Sequence, residues 1–461
     1  MGSTLNQGNV RAGGNLHLGR DEDKDHYKEC LRELLSSLSG DPRDYKEDLI
    51  TRNGRWLKGT CQWILRTKEF TEWHESKPPR LLWITGGPGK GKTMLAHFLV
   101  DYCEIVGARE PDRELVIYFF CGTQDGLNSG PSLLRGLIYQ ILVRNQAKFC
   151  HIKEAFSNHG KSLFDDARFE ALWRVFDSMI RDKTLKSVTC ILDGLDECIE
   201  ESLAPFLVKI RDVFAPTTRQ RSKTPSSIFK AIAISRNFPE SFEVFLDRFP
   251  RLRIDASHNV QIGKDVSKYI DDGMKLLACA EHKKPKLGQL RLNVRKKLVD
   301  GADGSYLWVK FAIKSLEGVT CPELEEAITE FPRGLDDIYA RMLHALPVRQ
   351  KSKVIQIIRW VATAYRPLTL LEIGTAPELP RADDQDLGDA TADFVKCARD
   401  LLLISESKNV VLVHASFRDF LVQFGNESVP GYTLQPSVSH WILASRTYEY
   451  TDALINLNPQ I

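Results

Sequence analysis

The sequence predicts an α/β fold, in which helices cover both faces of a parallel sheet, followed by a helical domain and a winged-helix-like domain. From Arg80, short apolar strand patterns alternate with longer helical patterns, which is typical of parallel sheets. A glycine-rich loop of the phosphate-binding type separates the first strand from the first helix of this region. After about Ala256 the strand patterns become rare and helical spacing dominates.

Each strand candidate is apolar almost throughout, as expected for a strand covered on both faces. The strand candidates are Leu81–Thr85, Leu115–Phe120, Val188–Leu192 and Phe229–Ser235. The helix candidates between them are Met94–Val106, Leu133–Arg144, Phe169–Arg181 and Ser202–Phe214. Upstream, 21–77 is predicted to be helical, with one apolar pattern ending at Gly40 and a second, marked by Trp56 to Leu65, continuing to the break at Lys77–Pro79.

These patterns divide the chain into six segments. Residues 1–20 contain five glycines and three asparagines with few large apolar side chains, which predicts a disordered tail. A helical pre-loop segment is predicted over 21–79, the α/β domain over 80–256 and the helical domain over 257–346. The winged-helix-like domain is predicted over 347–430, with a strand at Val410–Val413, and a C-terminal tail over 431–461.

The composition of the 461 residues indicates an ordinary globular protein, with 43% hydrophobic and 27% charged residues. A formal net charge of +2 favours neither nucleic acid nor an anionic membrane as a partner. None of the ten cysteines forms a CxxC pair, no secretory signal is recognised, and the longest apolar run, Leu115–Cys121, is too short to span a membrane. We therefore expect a cytoplasmic protein with reduced thiols.

The glycine-rich loop fits the pattern GxxxxGK[ST] between a strand and a helix, which is the context that this phosphate-binding motif requires. Its predicted nucleotide-binding residues are Gly86, Gly87, Pro88, Gly89, Lys90, Gly91, Lys92, Thr93 and Met94. Backbone N–H groups and the positive end of the following helix are expected to face phosphate oxygens. Lys92 is predicted to bridge the β- and γ-phosphates of ATP or GTP, and the Thr93 hydroxyl to bind Mg²⁺.

A second acidic motif, ILDGLDE, follows the strand candidate Val188–Leu192. Asp193 is predicted to hold the magnesium shell, and Glu197, or Asp196 beside it, to polarise the attacking water. The alternative is a solvated acidic turn. A further strand ends at Arg236, and because functional residues gather at the carboxyl ends of parallel strands, Arg236 is a candidate γ-phosphate sensor. A surface arginine in a loop is the rival interpretation.

Together the motifs GGPGKGKTML, ILDGLDE and AISR resemble the NACHT group of signal-transducing P-loop NTPases, especially fungal NOD-like receptor and heterokaryon-incompatibility-type proteins. The small Gly194 followed by the acidic pair Asp196–Glu197 is typical of that group. Further similar segments lie upstream and downstream of the loop, at Trp63–Leu65, Phe70–Trp73, Ser305–Val309, Phe331–Tyr339 and Tyr365–Thr369. The resemblance covers roughly 25–425 and identifies 80–256 as the nucleotide-binding domain.

The resemblance also implies that His414, in VHASFRDFL, reaches the β-phosphate and locks a closed, diphosphate-bound state. Asn53–Arg55 would correspond to a stretch that contacts the base, although an ordinary turn is the stronger alternative there. The family implies a switch that binds ATP or GTP with Mg²⁺, hydrolyses it slowly and self-associates in the triphosphate state. Protein partners or related full-length receptors are expected, but neither a membrane nor a nucleic acid.

Two departures from the family leave alternatives open. No C-terminal repeat array and no N-terminal effector domain are recognised, and residues 7–19 alternate polar and apolar side chains in a way compatible with an amyloid-type signalling motif. We expect either a natural repeat-free form, a truncated product or a regulator of a full-length relative. The alternative functions are a motor-like ATPase, a non-hydrolysing interaction scaffold and a DNA-binding regulator that uses its winged-helix region.

Overall fold

The computed structural model describes residues 21–448 apart from 39, 77, 79, 109–113, 123–126, 215–226, 237–240, 255–257, 276, 278–284, 318, 320–322, 376–378, 381–383, 406–407, 424–433, 436 and 446–447. The tail predicted over 1–20, with its possible amyloid-type motif, lies outside the described residues. The tail predicted over 431–461 is described only in part, and 437–445 form a helix.

A five-stranded parallel sheet forms the centre of the α/β part. Its strands are β1 (Arg80–Thr85), β2 (Glu114–Phe120), β3 (Ser187–Asp193), β4 (Ile228–Ser235) and β5 (Arg251–Arg253). They are arranged in the order β2-β3-β4-β1-β5. The register pairs Thr85 with Ser235 and Phe120 with Asp193, so the carboxyl ends of β1, β3 and β4 lie at one edge of the sheet. The predicted α/β fold class is confirmed.

Helices lie before, between and after these strands. They are α1 (Asp21–Ser36), α2 (Pro42–Asn53), α3 (Lys68–Glu75), α4 (Lys92–Gly107), α5 (Gly130–Arg144), α6 (Lys153–His159), α7 (Phe169–Ile180), α8 (Glu200–Val213) and α9 (Ser241–Leu246). Short 3₁₀ turns occur at Gln62–Arg66, Gln146–His151, Gly160–Phe164, Asp166–Arg168 and Leu195–Glu197. The last of these turns follows β3 directly and carries two of the predicted acidic residues.

The second half of the chain is mainly helical. Its first helices are α10 (Asn259–Gly273), α11 (Pro285–Ala302), α12 (Tyr306–Leu316), α13 (Leu324–Thr329) and α14 (Leu335–His344). They are followed by α15 (Lys351–Thr363), α16 (Leu370–Thr375), α17 (Leu387–Cys397) and α18 (Ala415–Gln423). The short strands β6 (Leu368–Thr369), β7 (Leu402–Ile404) and β8 (Asn409–Leu412) form an antiparallel sheet in the order β6-β8-β7. Helices around a small antiparallel sheet are the arrangement expected of a winged-helix-like unit.

Two of the local predictions were wrong. The pattern from Trp56 to Leu65 is a turn followed by a 3₁₀ segment rather than an α-helix, because Gly59 (φ +89°) and Cys61 (φ +62°) take left-handed backbone conformations that interrupt a helix. The strand β5 was not predicted, since three residues with two outer arginines present no apolar run.

One hydrophobic core joins these regions. A contiguous cluster of buried side chains includes Ile84 of β1, Leu95 of α4, Trp308 of α12, Tyr339 of α14 and Phe417 of α18. The helical and winged-helix parts are therefore packed against the face of the sheet that α4 covers, and α18 lies close to the edge where β1, β3 and β4 end. Among the described helices, none is both long and apolar enough to cross a lipid bilayer.

Candidate nucleotide-binding site

The glycine-rich loop leads directly from β1 into α4, as the motif requires. The helix begins at Lys92, and Gly89 (φ +70°) and Gly91 (φ +82°) take backbone conformations that favour glycine. The Lys92 ammonium donates to the carbonyl oxygens of Gly86 (2.8 Å) and Gly87 (2.9 Å). The loop thus curls around its own lysine, with the positive end of α4 at its base.

The loop lies tightly against the start of α12. The Tyr306 N–H donates to the Gly89 carbonyl (2.9 Å), and a Cβ atom added at Gly89 would lie 2.6 Å from the Ser305 hydroxyl. Lys90, unlike Lys92, reaches out of the loop and donates to the Asp303 carbonyl (2.6 Å). Lys92 therefore forms its hydrogen bonds within the loop, whereas Lys90 links the loop to the helical part.

Asp193, the last residue of β3, is only 4% exposed. Burial raises its pKa to about 6, although the Thr93 hydroxyl and Lys92 stabilise its charged form. One of its carboxylate oxygens, Oδ1, is buried without a hydrogen-bond partner among the described residues. An orphaned carboxylate oxygen beside a hydroxyl fits the oxygen ligands that Mg²⁺ prefers, so Asp193 and Thr93 are suited to hold that ion.

Glu197 ends the short turn after β3 and lines the same cavity. Burial, followed by the neighbouring charge of Asp196, raises the pKa of Glu197 to about 8, while Arg236 and Lys92 act in the opposite direction. At neutral pH this raised pKa favours the protonated form of the carboxyl. A divalent cation near Asp193 would favour its ionised form, which is the form that can accept a proton.

Arg236 is bound by two carboxylates. Its backbone N–H donates to Asp196 Oδ1 (3.0 Å) and its Nε lies 3.0 Å from Asp196 Oδ2. Its Nη1 donates to the carboxylate of Asp419 on α18, 183 residues further along the chain. The predicted phosphate sensor is thus part of a three-residue bridge between the sheet edge and α18.

His414 closes the cavity from the winged-helix side. Its Nδ1 accepts from the Ser416 N–H (3.1 Å) and lies 2.7 Å from the Ser416 hydroxyl, which lies 2.7 Å from the Tyr339 hydroxyl. Burial, with the positive charges of Arg236, Lys92 and Lys310, lowers the pKa of His414 to about 3. The ring is neutral, and because a backbone N–H can only donate to Nδ1, the proton lies on Nε2.

The structure brings most of the predicted site residues to one cavity. Its lining combines Pro88, Gly89, Gly91, Lys92, Thr93, Met94, Asp193, Asp196, Glu197, Arg236 and His414. Gly86 and Gly87 face it through the carbonyls that hold Lys92. Gly54 and Arg55 do not belong to the described lining, and the Asn53 side chain lies outside the described residues. Tyr269, which packs against Gly54, lines the cavity instead.

Sequence analysis missed four groups in or beside this cavity. Tyr269, Tyr306 and Lys310 line it from the helical part, and Asp419 reaches Arg236 from α18. Tyr306 and Asp419 lie within segments that resemble the family, but nothing in the local sequence indicates their partners. Their roles depend on how distant helices pack onto the sheet edge.

Three features together define a P-loop nucleotide-binding protein: a parallel α/β sheet, this loop with its lysine, and an acidic residue at the end of another strand of the sheet. Residues 59–236 match the family described as Nephrocystin 3, N-terminal. Over 416 residues, 87% of its length, the chain is 31% identical to the vegetative incompatibility protein HET-E-1 of Podospora anserina. The resemblance to fungal NACHT proteins of the heterokaryon-incompatibility type is thereby confirmed.

The chain spans 29% of the length of HET-E-1. Among solved structures, the chain is similar to the Aeropyrum pernix ORC2 protein in its ADP form, with 12% identity, a TM-score of 0.35 and coverage of 84% of this chain and 92% of that one. A point mutant of Thermotoga maritima RuvB shows 10% identity, a TM-score of 0.27 and coverage of 78% of this chain and 93% of that one. With TM-scores this low, neither similarity carries an argument about this chain.

The raised pKa of Glu197 predicts that the nucleotide-free protein loses stability between pH 6.5 and pH 8. In this window the folded state retains a proton that an unfolded glutamate, with its ordinary pKa of 4.5, has already lost. His414 and His97, with folded pKa values of about 3 and about 4, have the opposite effect, which lies mainly below pH 6.5 and offsets a smaller part of the loss just above it. Denaturant unfolding at the two pH values should show a loss on the order of 1–2 kcal/mol. Glu197→Gln should remove most of this loss of unfolding free energy. An equal loss in the variant would show that Glu197 is not its cause.

Proposed function

We propose that this chain is a cytoplasmic, nucleotide-controlled signalling switch that binds ATP or GTP with Mg²⁺, hydrolyses it slowly and self-associates in the triphosphate state. The observation that carries the proposal is that Lys92 of the loop and His414 of the winged-helix part line one cavity. A nucleotide bound there would touch parts of the chain that are far apart in sequence. A signalling role of the incompatibility type is supported by the similarity to HET-E-1.

Diphosphate binding would stabilise the closed arrangement through His414. The neutral ring has its proton on Nε2, so it can donate a hydrogen bond to a phosphate oxygen without changing its charge. Ser416 contacts the ring at Nδ1, and the Ser416 hydroxyl is in turn paired with the Tyr339 hydroxyl. Lys92 would exchange two neutral carbonyl partners for charged phosphate oxygens, and hydrogen bonds of this kind are the stronger ones.

Mg²⁺, when bound with a triphosphate, would neutralise charge on the phosphate oxygens. Thr93 and Asp193 are the residues suited to hold it, and the orphaned Asp193 oxygen would gain a partner. Glu197 is a better candidate than Asp196 for accepting the proton of the attacking water. Asp196 Oδ1 already accepts from the Arg236 N–H and Oδ2 is ion-paired with the Arg236 Nε, whereas Glu197 lines the cavity with its pKa raised to about 8.

Triphosphate would act as the activating ligand only if it binds the open state more tightly than the closed state. To move the ratio of open to closed molecules from 1:99 to 99:1, triphosphate must bind the open state roughly 10⁴-fold more tightly than the closed state. Opening would uncover the surfaces between α18 and the sheet edge, and these are the surfaces that we propose for self-association or for contact with related full-length receptors. Hydrolysis would then restore the closed state.

Nucleotide retention by the purified protein tests the switch. Wild type is expected to hold a nucleoside diphosphate as a monomer, and Lys92→Ala to lose it, because the variant lacks the cation facing the phosphates. His414→Ala should assemble on a non-hydrolysable triphosphate more readily than wild type. The measurements are chromatographic identification of the released nucleotide and molar mass by light scattering. Lys90→Ala is the matched control from the same loop and should retain nucleotide, since its ammonium binds Asp303 instead.

The proposal fails if wild type carries no nucleotide and its mass is the same with diphosphate, with triphosphate and without either. A scaffold that has kept the motifs without using them would then be the better description.

Hydrolysis distinguishes the two acidic residues of the turn. Glu197→Gln is expected to bind triphosphate normally but to lose turnover by about 10²–10⁴-fold, the usual contribution of a general base. Asp196→Asn should retain more turnover, because its carboxylate positions Arg236 rather than water. The measurement is phosphate release under single-turnover conditions. Unchanged release in Glu197→Gln would indicate another base, and no release from wild type would favour the non-hydrolysing scaffold.

A further inference from the structure

Arg236 has a fixed end and an exchangeable end. Its backbone N–H and its Nε both bind Asp196, which lies on the same side of the cavity in the turn after β3. These contacts join neighbouring strand ends of the one sheet, so they do not depend on where α18 lies. Nη1, in contrast, binds Asp419, a residue of α18. Movement of α18 would therefore release only the outer end of the guanidinium.

The released end would be suited to a phosphate. Guanidinium N–H groups bind carboxylate and phosphate oxygens with the same planar geometry, so the two anions compete for one position. Arg236 lines the cavity together with Lys92 and Glu197, and Asp419 approaches it from the neighbouring cleft beneath α18. While the winged-helix part is docked, the Asp419 carboxylate is thus the anion that binds Arg236 at this end of the cavity.

The end of the cavity around Arg236 is rich in carboxyl groups. Asp196, Glu197 and Asp419 all lie around Arg236, and only the last of them comes from a different structural unit. A third phosphate would bring further negative charge to a region that already holds the Asp196 and Asp419 carboxylates. Repulsion between like charges is strong where water is excluded. A diphosphate held by Lys92 and His414 would avoid that repulsion.

We propose that Asp419 is a specificity-determining residue: its carboxylate occupies on Arg236 the position that the third phosphate requires, so that the docked winged-helix part favours diphosphate over triphosphate. This inference rests on the proposed function and deepens it. Asp419 and the third phosphate are then alternative ligands of one arginine. Triphosphate binding and release of α18 are coupled by this exchange.

The test is the ratio of dissociation constants for a diphosphate and a non-hydrolysable triphosphate, measured by calorimetry with Mg²⁺ on the full chain. In Asp419→Asn the ratio is expected to move toward triphosphate by roughly tenfold, about the effect of losing one charge-assisted hydrogen bond. Asp419→Glu keeps the charge and should retain the diphosphate preference. Because the Asp419 side chain is 39% exposed, neither change should prevent folding, and thermal melting checks this.

Asp400→Asn is the matched control. Asp400 also joins the winged-helix part to the helical part, through Lys314 at 3.0 Å, but its ion pair is exposed and lies outside the nucleotide cavity. The variant should leave the ratio within about twofold of wild type, as expected for an exposed ion pair.

The outcomes separate the two proposals. If Asp419→Asn changes the ratio no more than Asp400→Asn, while wild type binds nucleotide and Lys92→Ala does not, the inference about Asp419 is wrong and the proposed function stands. An equal weakening of both nucleotides in Asp419→Asn also overturns the inference, since that result indicates a general loss of docking. If wild type binds neither nucleotide, both proposals fail.

Discussion

Burial of charge at the carboxyl edge of the parallel sheet is the constraint on which the rest of the site depends. Asp193, Asp196 and Glu197 lie at the end of β3, while Lys92 and Arg236 follow β1 and β4, so five ionisable groups meet where water is scarce. Buried charges are tolerated only when they are paired or neutralised. Arg236 pairs with Asp196, and burial raises the pKa of Glu197 to about 8, which favours its neutral form.

The same constraint explains why a distant helix docks here. Asp419 supplies the second anion that Arg236 can accept, and the neutral His414 adds no positive charge to a cavity that already holds Lys92 and Lys310. Ser416 of α18 fixes the ring and is itself paired with Tyr339 of the helical part. In the proposed switch, a phosphate chain with a magnesium ion would replace these internal pairings and would change how tightly α18 is docked. Nucleotide binding and docking of the winged-helix part would then be linked through shared partners.

The sequence correctly predicted the strands and the loop whose signals lie within a short stretch of residues. The apolar runs of β1 to β4 and the glycine loop required no tertiary knowledge, because strand burial and phosphate-loop geometry are encoded within about ten residues. The Trp56–Leu65 prediction was wrong because two left-handed residues interrupt an apolar pattern that suits a helix. The three-residue β5 pairs with β1 but carries no periodic signal. Asp419 and Tyr269 could not be assigned, since their partners are more than 180 residues away in the chain or are set by helix packing.

Hydrogen–deuterium exchange over 409–423, which contains β8 and α18, tests the central claim most directly. These amides should exchange slowly with a diphosphate bound and faster with a non-hydrolysable triphosphate, while β1 and β3 stay equally protected in both states, because only the docking of α18 differs. Equal protection of 409–423 in the two nucleotide states would contradict the account, since the winged-helix part would then be insensitive to the third phosphate.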